Sequence, residues 1–535
     1  MKSSKKHYGT LCALLFAASA YGQSAFVNSQ NKWHEGYVNE QYNIRYNSIN
    51  PTRLSYNKMR TVGTALFSYR YGRGDYHAVD APKQTNDLNV YIGGLQQLGK
   101  ANLSGYLKYN NTKSKDIQWN PTLYLNENNP FVLCDSVMND ATTEAFQMEA
   151  TLSYDFTERI KGGLSLGLKV GSLSDQTDPR PKTNTSVFPI TAGVDYHINK
   201  PWSVGLTAQI RLLSSNISYS VVNPLNNHRY FVMKGMGDYY GTSTSAEYNY
   251  KRDYKGNTFT GALQAVYQPE DEKLQNFIEV AVSKGNEKAT DGGSSYVFKG
   301  GDYYQTEIKA TDRLIWNQSE RLRHNIILSG QIQKGDADWY DQKRMTDTEH
   351  GNIIYYEILS KTRVQKSQSM TASAEYRIDL LKDGETDFYA GVNAALNRNE
   401  LKHYSDDGLH KQEWNLLSLN VTAGKTFNLG KGQLAASVNG GYVMPLQDRK
   451  FGTGTNVTGE TDITSAYVLP QFEYETSKRI ALGGMIDYSL PVVNKVKAGI
   501  YAKVKSLIYN DDAEYYQSLK STTYTLADMG LYLNF

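Results

Sequence analysis

The sequence predicts an all-β fold: a single antiparallel barrel that crosses a membrane on about eighteen strands, within a range of sixteen to twenty. Three observations predict it. Segments of roughly ten residues alternate apolar and polar side chains along most of the chain. The connections between them alternate short and long, as turns at one rim of a barrel and loops at the other. The chain stops on one such strand, at Phe535. A strand buries every second residue against lipid, so a barrel can look soluble overall. The mean hydropathy of −0.56 fits that reading.

The elements follow in order. Lys2, Lys5 and Lys6 precede the short apolar run Leu11–Ala18, and Ala20-Tyr21-Gly22 supplies small residues for cleavage. Residues 1–22 read as a secretory signal peptide cut before Gln23, since the run is too short to span a bilayer as a helix. Cleavage removes Cys12 and leaves Cys134 as the one mature cysteine, so no intramolecular disulfide is expected. Residues 23–60, with Asn50-Pro51, are too few for a globular plug domain and are expected to form a periplasmic or lumenal segment. Residues 61–535 are expected to be the barrel.

Its clearest strands are these. Phe146, Met148, Ala150, Leu152, Tyr154 and Phe156 share one face; Ile160, Leu164, Leu166, Leu168 and Val170 share the next. Phe188 to Tyr196 and Trp202 to Ile210 alternate likewise, as do Phe388 to Leu396, Ile480 to Tyr488 and Val496 to Val504. Leu166 and Gly167 should face opposite ways, so an arginine at 167 is expected to be milder than one at 166. Eight short connections, such as 157–158 and 199–201, and nine long polar ones, such as 112–142 and 335–367, give eighteen strands. Both ends then lie on the short-turn side, expected to be the periplasm. Segments 353–364 and 464–474 also alternate and are read as possible strands of hairpins above the membrane.

The last strand alternates Met529, Leu531, Leu533 and Phe535 against Asp528, Gly530, Tyr532 and Asn534. Asp528, Gly530, Leu533 and Phe535 together resemble the C-terminal insertion signal of bacterial outer-membrane proteins, which implies the cell outer membrane and the barrel-assembly machinery as a partner. An open, half-apolar strand is a liability to a soluble protein; pairing with the first strand removes the edge. Tyrosine is abundant, 42 against 16 Phe and 6 Trp, which suits interfaces with one wet side. Phe156, Tyr196, Trp202, Tyr267, Tyr376, Phe388 and Tyr488 fall at the short-turn end of their strands, as an interfacial girdle would. A soluble sandwich would carry bulkier aliphatics where these faces carry Ala and Gly.

The opposite faces are polar. Lumen-facing candidates are Lys161, Lys169, Arg211, Glu307, Lys309, Glu375, Arg377 and Lys503. Charges of both signs recur at one depth. They either pair across strands to stiffen the wall or line a mixed-charge path for small polar solutes.

Catalytic signatures are missing: no GxSxG, HExxH, P-loop or CxxC occurs, and the nine histidines have no metal spacing. No enzyme, cofactor or metal is expected. Asp336, Asp338 and Asp341 lack the EF-hand pattern and read as a solvated external loop. A net charge of +3 gives no argument for nucleic acid.

Gly94-Leu95-Gln96-Gln97-Leu98-Gly99-Lys100, Asn129-Pro130-Phe131-Val132-Leu133-Cys134-Asp135-Ser136 and Asp178-Pro179-Arg180-Pro181-Lys182 resemble motifs of an uncharacterised family of outer-membrane β-barrels from Bacteroidota. The resemblance implies fold and location, with a place beside nutrient uptake, and transfers no catalytic residue. Two functions remain from the sequence. One is a porin-like channel or accessory uptake protein for small polar solutes. The other is a silent platform whose loops bind a ligand, a surface lipoprotein or a larger TonB-dependent transporter.

Overall fold

The structure is a computed structural model and describes residues 43–57, 61–223, 230–243, 250–292, 297–406, 408–454, 463–493, 496–511 and 519–535. The signal peptide, its cleavage site and residues 23–42 lie outside the described residues. In chain order the strands are β1 (Thr61–Gly74), β2 (Gln84–Leu98), β3 (Ala101–Ile117), β4 (Leu133–Asp135), β5 (Asn139–Asp155), β6 (Ile160–Asp175) and β7 (Lys182–His197). Then come β8 (Trp202–Ser218), β9 (Tyr230–Gly235), β10 (Asp238–Ser243), β11 (Lys251–Tyr267), β12 (Leu274–Asp291), β13 (Phe298–Ser319) and β14 (Leu322–Asp347). The last are β15 (Ile353–Lys382), β16 (Glu385–Ser405), β17 (Gly408–Leu429), β18 (Gly432–Pro445), β19 (Arg479–Val493), β20 (Val496–Tyr509) and β21 (Thr523–Asn534).

Eighteen of these strands pair antiparallel with their neighbours in one continuous sheet, while β4, β9 and β10 form a separate three-stranded sheet. The large sheet closes where β21 pairs with β1, from Thr64 opposite Asn534 to Gly74 opposite Tyr524. Closure leaves no free edge. Phe535 extends the seam: its N–H donates to the Gly63 carbonyl at 3.0 Å and its carbonyl accepts from the Gly63 N–H at 2.7 Å. Gly63 has no side chain because the Phe535 ring occupies the space a Cβ would need. Asp528 accepts from Arg70 (3.1 Å) and from the Tyr501 hydroxyl (3.0 Å) on the inside. Gly530 leaves room for the Tyr501 ring, and Leu533 points outward, 46% exposed.

Alternation explains the two faces of the wall. Leu166, Leu206, Leu263, Val392, Val438, Ile486 and Leu531 point outward and are exposed, which an apolar surroundings would favour and water would not. No helix among the described residues is long and apolar enough to cross a membrane, which says nothing of strands. The outward aromatics Phe156, Tyr196, Trp202 and Tyr376 stand near the short turns. His324 joins them, stacked on Trp316 at 4.8 Å and hydrogen-bonded to the Tyr376 hydroxyl.

At one rim, here the turn end, connections are tight. Asp383-Gly384 joins β15 to β16 with both residues at positive φ, 55° and 79°, the pair that a two-residue hairpin of this hand requires. At the other rim, the loop end, two sequence readings need correcting. Segment 335–367 is not an open loop, because β14 and β15 run on as a paired hairpin up to Asp347 and Ile353. Asp336, Asp338 and Asp341 therefore sit on a strand. Arg363 bridges Asp336 at 2.6 Å and also pairs with Asp338, to which Lys361 adds a bridge at 3.0 Å. Segment 464–474 is not a strand. A wide helical turn, Thr464–Val468, leads into helix α1 (Leu469–Thr476). Val468, Phe472 and Thr476 are four residues apart and all buried; a period near 3.6 presents them on one face, and this outweighs the local alternation.

Candidate functional site: the plugged lumen

Three segments from the loop end turn into the barrel. The first, between β3 and β5, is folded by its asparagines. The Asn120 Oδ1 accepts from the Thr122 N–H (3.0 Å), Asn126 from Asn128 (2.9 Å) and Asn129 from Phe131 (3.1 Å). Each is a side chain mimicking a backbone turn. The folded segment descends along the inner wall. Thr183 donates to the Pro121 carbonyl at 2.6 Å and Arg211 to that of Tyr124 at 3.1 Å, while the Lys169 ammonium lies 3.6 Å from the Tyr124 ring centre. Glu287 accepts from the Asn126 N–H (3.0 Å) and from Asn129 Nδ2 (2.9 Å).

The segment then rises to Phe131, which is fully buried. Gly301, at φ +117°, makes room for its ring. Arg252, also fully buried, donates two bonds to Asp291 (2.5 and 2.6 Å) and a third to the Phe131 carbonyl (3.3 Å). Tyr254 donates to the same carbonyl at 2.9 Å. A buried cation is sustained only with its partner and donors satisfied, so this knot ties the plug to the wall. Around it Leu133, Ile217, Tyr254, Trp339 and Val364 form one apolar cluster.

The second segment is the hairpin β9–β10, whose strand β9 pairs with β4. Asp238, bridged within the hairpin by Lys234 (3.1 Å), holds it to the barrel by facing Nε2 of buried His403 on β16 at 3.1 Å. The third is α1. Its Phe472 meets Trp414 edge-on at 5.7 Å, and its Glu473 accepts from the Tyr509 hydroxyl at 2.9 Å.

Between these segments and the wall of β14–β17 lies a cavity of about 700 Å³. Amides line it, among them Gln333, Gln365, Asn399 and Gln412, together with the aromatics Trp119, Trp414 and Tyr467. Amides donate and accept at once, and flat rings offer apolar faces. The arrangement suits a small solute carrying hydroxyl or amide groups. Glu475 opens onto the same cavity. Burial, with Asp80 and Glu127 nearby, raises its carboxyl to about 7, although Gln471 donates to it at 2.7 Å and Arg479 opposes the shift. Burial likewise raises Asp135 to about 7.

The turn end holds a second inward segment, residues 43–56. Arg45 lies over the Tyr56 ring at 3.4 Å and donates to Ser203 at 2.5 Å; Tyr56 donates to Asp195 at 2.6 Å. Ser48 donates to Glu279 at 2.6 Å. Pro51 begins a 3₁₀ turn, Pro51–Tyr56, packed where Gly163 and Gly193 leave the wall bare.

The eight charged candidates all lie on the inner face, in different settings. Lys161 bridges Asp155 at 3.0 Å beside Tyr56; Lys169 and Arg211 touch the plug at Tyr124. Glu307 accepts from Gln331 at 2.8 Å, and Arg377 bridges Asp379 at 3.1 Å. Lys309 and Lys503 are exposed to the interior, and Glu375 is half-buried. They are spread around the barrel and do not converge. The cavity is instead closed, against inward residues of β14–β17, by residues that alternation cannot rank: Trp119, the folded asparagines and α1. One signal was present: Phe131-Val132-Leu133 is an apolar run inside a polar connection. Cys134 is free and buried beside it. No cluster of metal-ligating side chains occurs among the described residues.

A model of the family of unknown function DUF6850 matches residues 51–535. The chain belongs to that family. Membership is consistent with a resemblance to an uncharacterised family and brings no activity with it. No curated protein matches the chain. Among solved structures it is similar to the RagAB peptide transporter, at 6% identity over 89% of this chain and 87% of that one, TM-score 0.41. It is also similar to BauA, the ferric preacinetobactin receptor from Acinetobacter baumannii (10%, 89% and 80%, TM-score 0.39). A FadL homologue from Pseudomonas aeruginosa gives 11%, 91% and 92%, with a TM-score of 0.30.

Proposed function

We propose that this member of the family is a non-enzymatic outer-membrane barrel, exported by residues 1–22, that admits small polar solutes through a lumen gated by its own loops. The supporting observation is the cavity of about 700 Å³, lined by amides and rings and set between an inward-folded plug and the wall. A purely structural wall has no use for such a pocket, whereas an uptake path needs a place where the solute exchanges water for protein groups. On this reading the turn end is periplasmic, the loop end external, and residues 43–56 narrow the exit.

Liposome swelling tests this. The wild-type barrel should admit small sugars or amides slowly. Replacing 119–131 by a short Gly-Ser link should speed entry several-fold, with folding checked by heat-modifiable gel mobility. If both proteins are folded and both are silent to every solute, the channel reading fails. The plug's tight anchoring at Arg252 and Asp291 favours the alternative, a platform presenting the β14–β15 hairpin to a ligand, a surface lipoprotein or a larger transporter.

A further inference from the structure

We propose that the outer face of β13–β17, at its loop end, binds a lipid with a phosphate-bearing headgroup. The inference goes beyond solute passage and rests on the outer face lying in lipid.

The wall carries a groove of about 610 Å³ there. Its floor is Ala310, Gly330 and Ala372, which the register sets side by side on three strands. A Cβ on Gly330 would meet nothing within 4 Å, so the floor is open. Ile308, Ile332, Met370 and Leu396 form the sides, and Arg398, Asn415 and Gln447 close the loop end. Asn415 is held there, donating to Gln447 at 2.7 Å. Such a trough accommodates an acyl chain, and each buried methylene favours binding.

Above Arg398 the outward face changes character within one strand repeat. Ile332 gives way to Lys334, Met370 to Gln368 and Lys366, and Leu396 to Arg398, Glu400 and Lys402. The register places Lys366 opposite Lys402 and Lys402 opposite Lys411. Six cations, Lys334, Lys366, Arg398, Lys402, Lys411 and Lys450, thus share this face with two carboxylates, Glu400 and Glu413, since Asp336 is taken by Arg363. Glu413 is already shared by Arg398 (3.2 Å), Lys411 (2.9 Å) and Lys450 (3.3 Å), and Glu400 by Lys402 (2.5 Å) and Lys411 (3.3 Å). Sharing fixes the cations in place and leaves the positive excess. An apolar trough ending directly beneath that excess complements an acyl chain joined to an anionic phosphate, and charge-assisted contacts to phosphate are the strong kind. A protein helix would match the trough but not the charge.

Native mass spectrometry of the detergent-purified full chain, incubated with lipid A, tests the proposal. Wild type should retain one lipid A. Lys334→Ala combined with Lys366→Ala should weaken retention at least about tenfold, dephosphorylated lipid A should bind as weakly, and Gly330→Trp should lose the adduct by filling the trough. The pair Lys113→Ala with Lys115→Ala, exposed at the loop end of β3, should change nothing. Heat-modifiable mobility selects folded variants. Equal retention of the dephosphorylated lipid, equal loss in the β3 pair, or complete displacement by inorganic phosphate would each overturn the site. So would a Gly330→Trp barrel that keeps lipid A but changes oligomeric state, since the trough would then be a protein interface. Failure here leaves the membrane reading standing, because that is decided separately by the stability cost of a charge on the outer wall.

Discussion

Val438 and Asn439 are neighbours on β18 with opposite surroundings. Val438 points outward and is 65% exposed, while Asn439 faces the interior beside Gly483. Arginine on the lipid face near mid-membrane should cost about 2–4 kcal/mol. Val438→Arg should therefore lower the urea midpoint sharply in lipid vesicles, and Asn439→Arg should shift it little. Equal midpoints would refute a lipid-facing β18. Leu166 and Gly167 offer a poorer pair than the sequence suggests. Leu166 does face outward, but a Cβ on Gly167 would lie 2.8 Å from Pro189. The β6–β7 pairing also skips from Leu166 opposite Ile190 to Lys169 opposite Val187, because proline has no N–H to give. Arginine at 167 is thus not a mild change.

Among the elements, β21 depends most on one contact. Its seam with β1 continues through Phe535 and Gly63, whose missing side chain receives the ring. Gly63→Val should impair closure as much as Phe535→Ala, because one overfills the socket and the other empties it. Heat-modifiable mobility reports the closed form, and unchanged yields for both variants would count against the socket. The strands themselves were legible, since the period of two follows from a wall apolar on its outer side and polar on its inner side, and needs no distant partner. Helix α1 was not, because Ala466, Val468, Phe472 and Tyr474 fall on alternate positions as in a strand, while Val468 and Phe472 are also one helical turn apart. The inward fold of 118–138 was not legible either. It depends on Glu287, Arg252 and Gly301, residues far away in sequence, and only the run Phe131-Val132-Leu133 hinted at it.

For the molecule as a whole, the plug carries a pH dependence. Glu475 and Asp135 are both held near 7 by burial, above their values in an unfolded chain. The folded plug therefore binds their protons more tightly, and its stability is full below the ordinary carboxylate range and falls as pH rises toward 7. Hydrogen exchange in 464–476, corrected for intrinsic rates, should show more opening at pH 8 than at pH 5. Glu475→Gln should flatten much of the difference. An unchanged pH profile in that variant would remove Glu475 from the explanation.

The seam between β1 and β21 also governs how the barrel is made. Thr64 donates to Asn534 across a separation of 470 residues, so the contact that seals the wall is among the most non-local in the chain. Loop-closure entropy must be met before that contact returns anything. Until β21 arrives, seventeen strands exist at best as an open sheet with two unsatisfied margins, each able to recruit a neighbouring chain. The plug's anchors on β8, β11 and β12 are far closer in sequence to the segments they hold. The segment around Phe131 can thus be anchored in a nascent molecule before there is a tube to close, and whatever chaperones it must guard the two margins for the longest time.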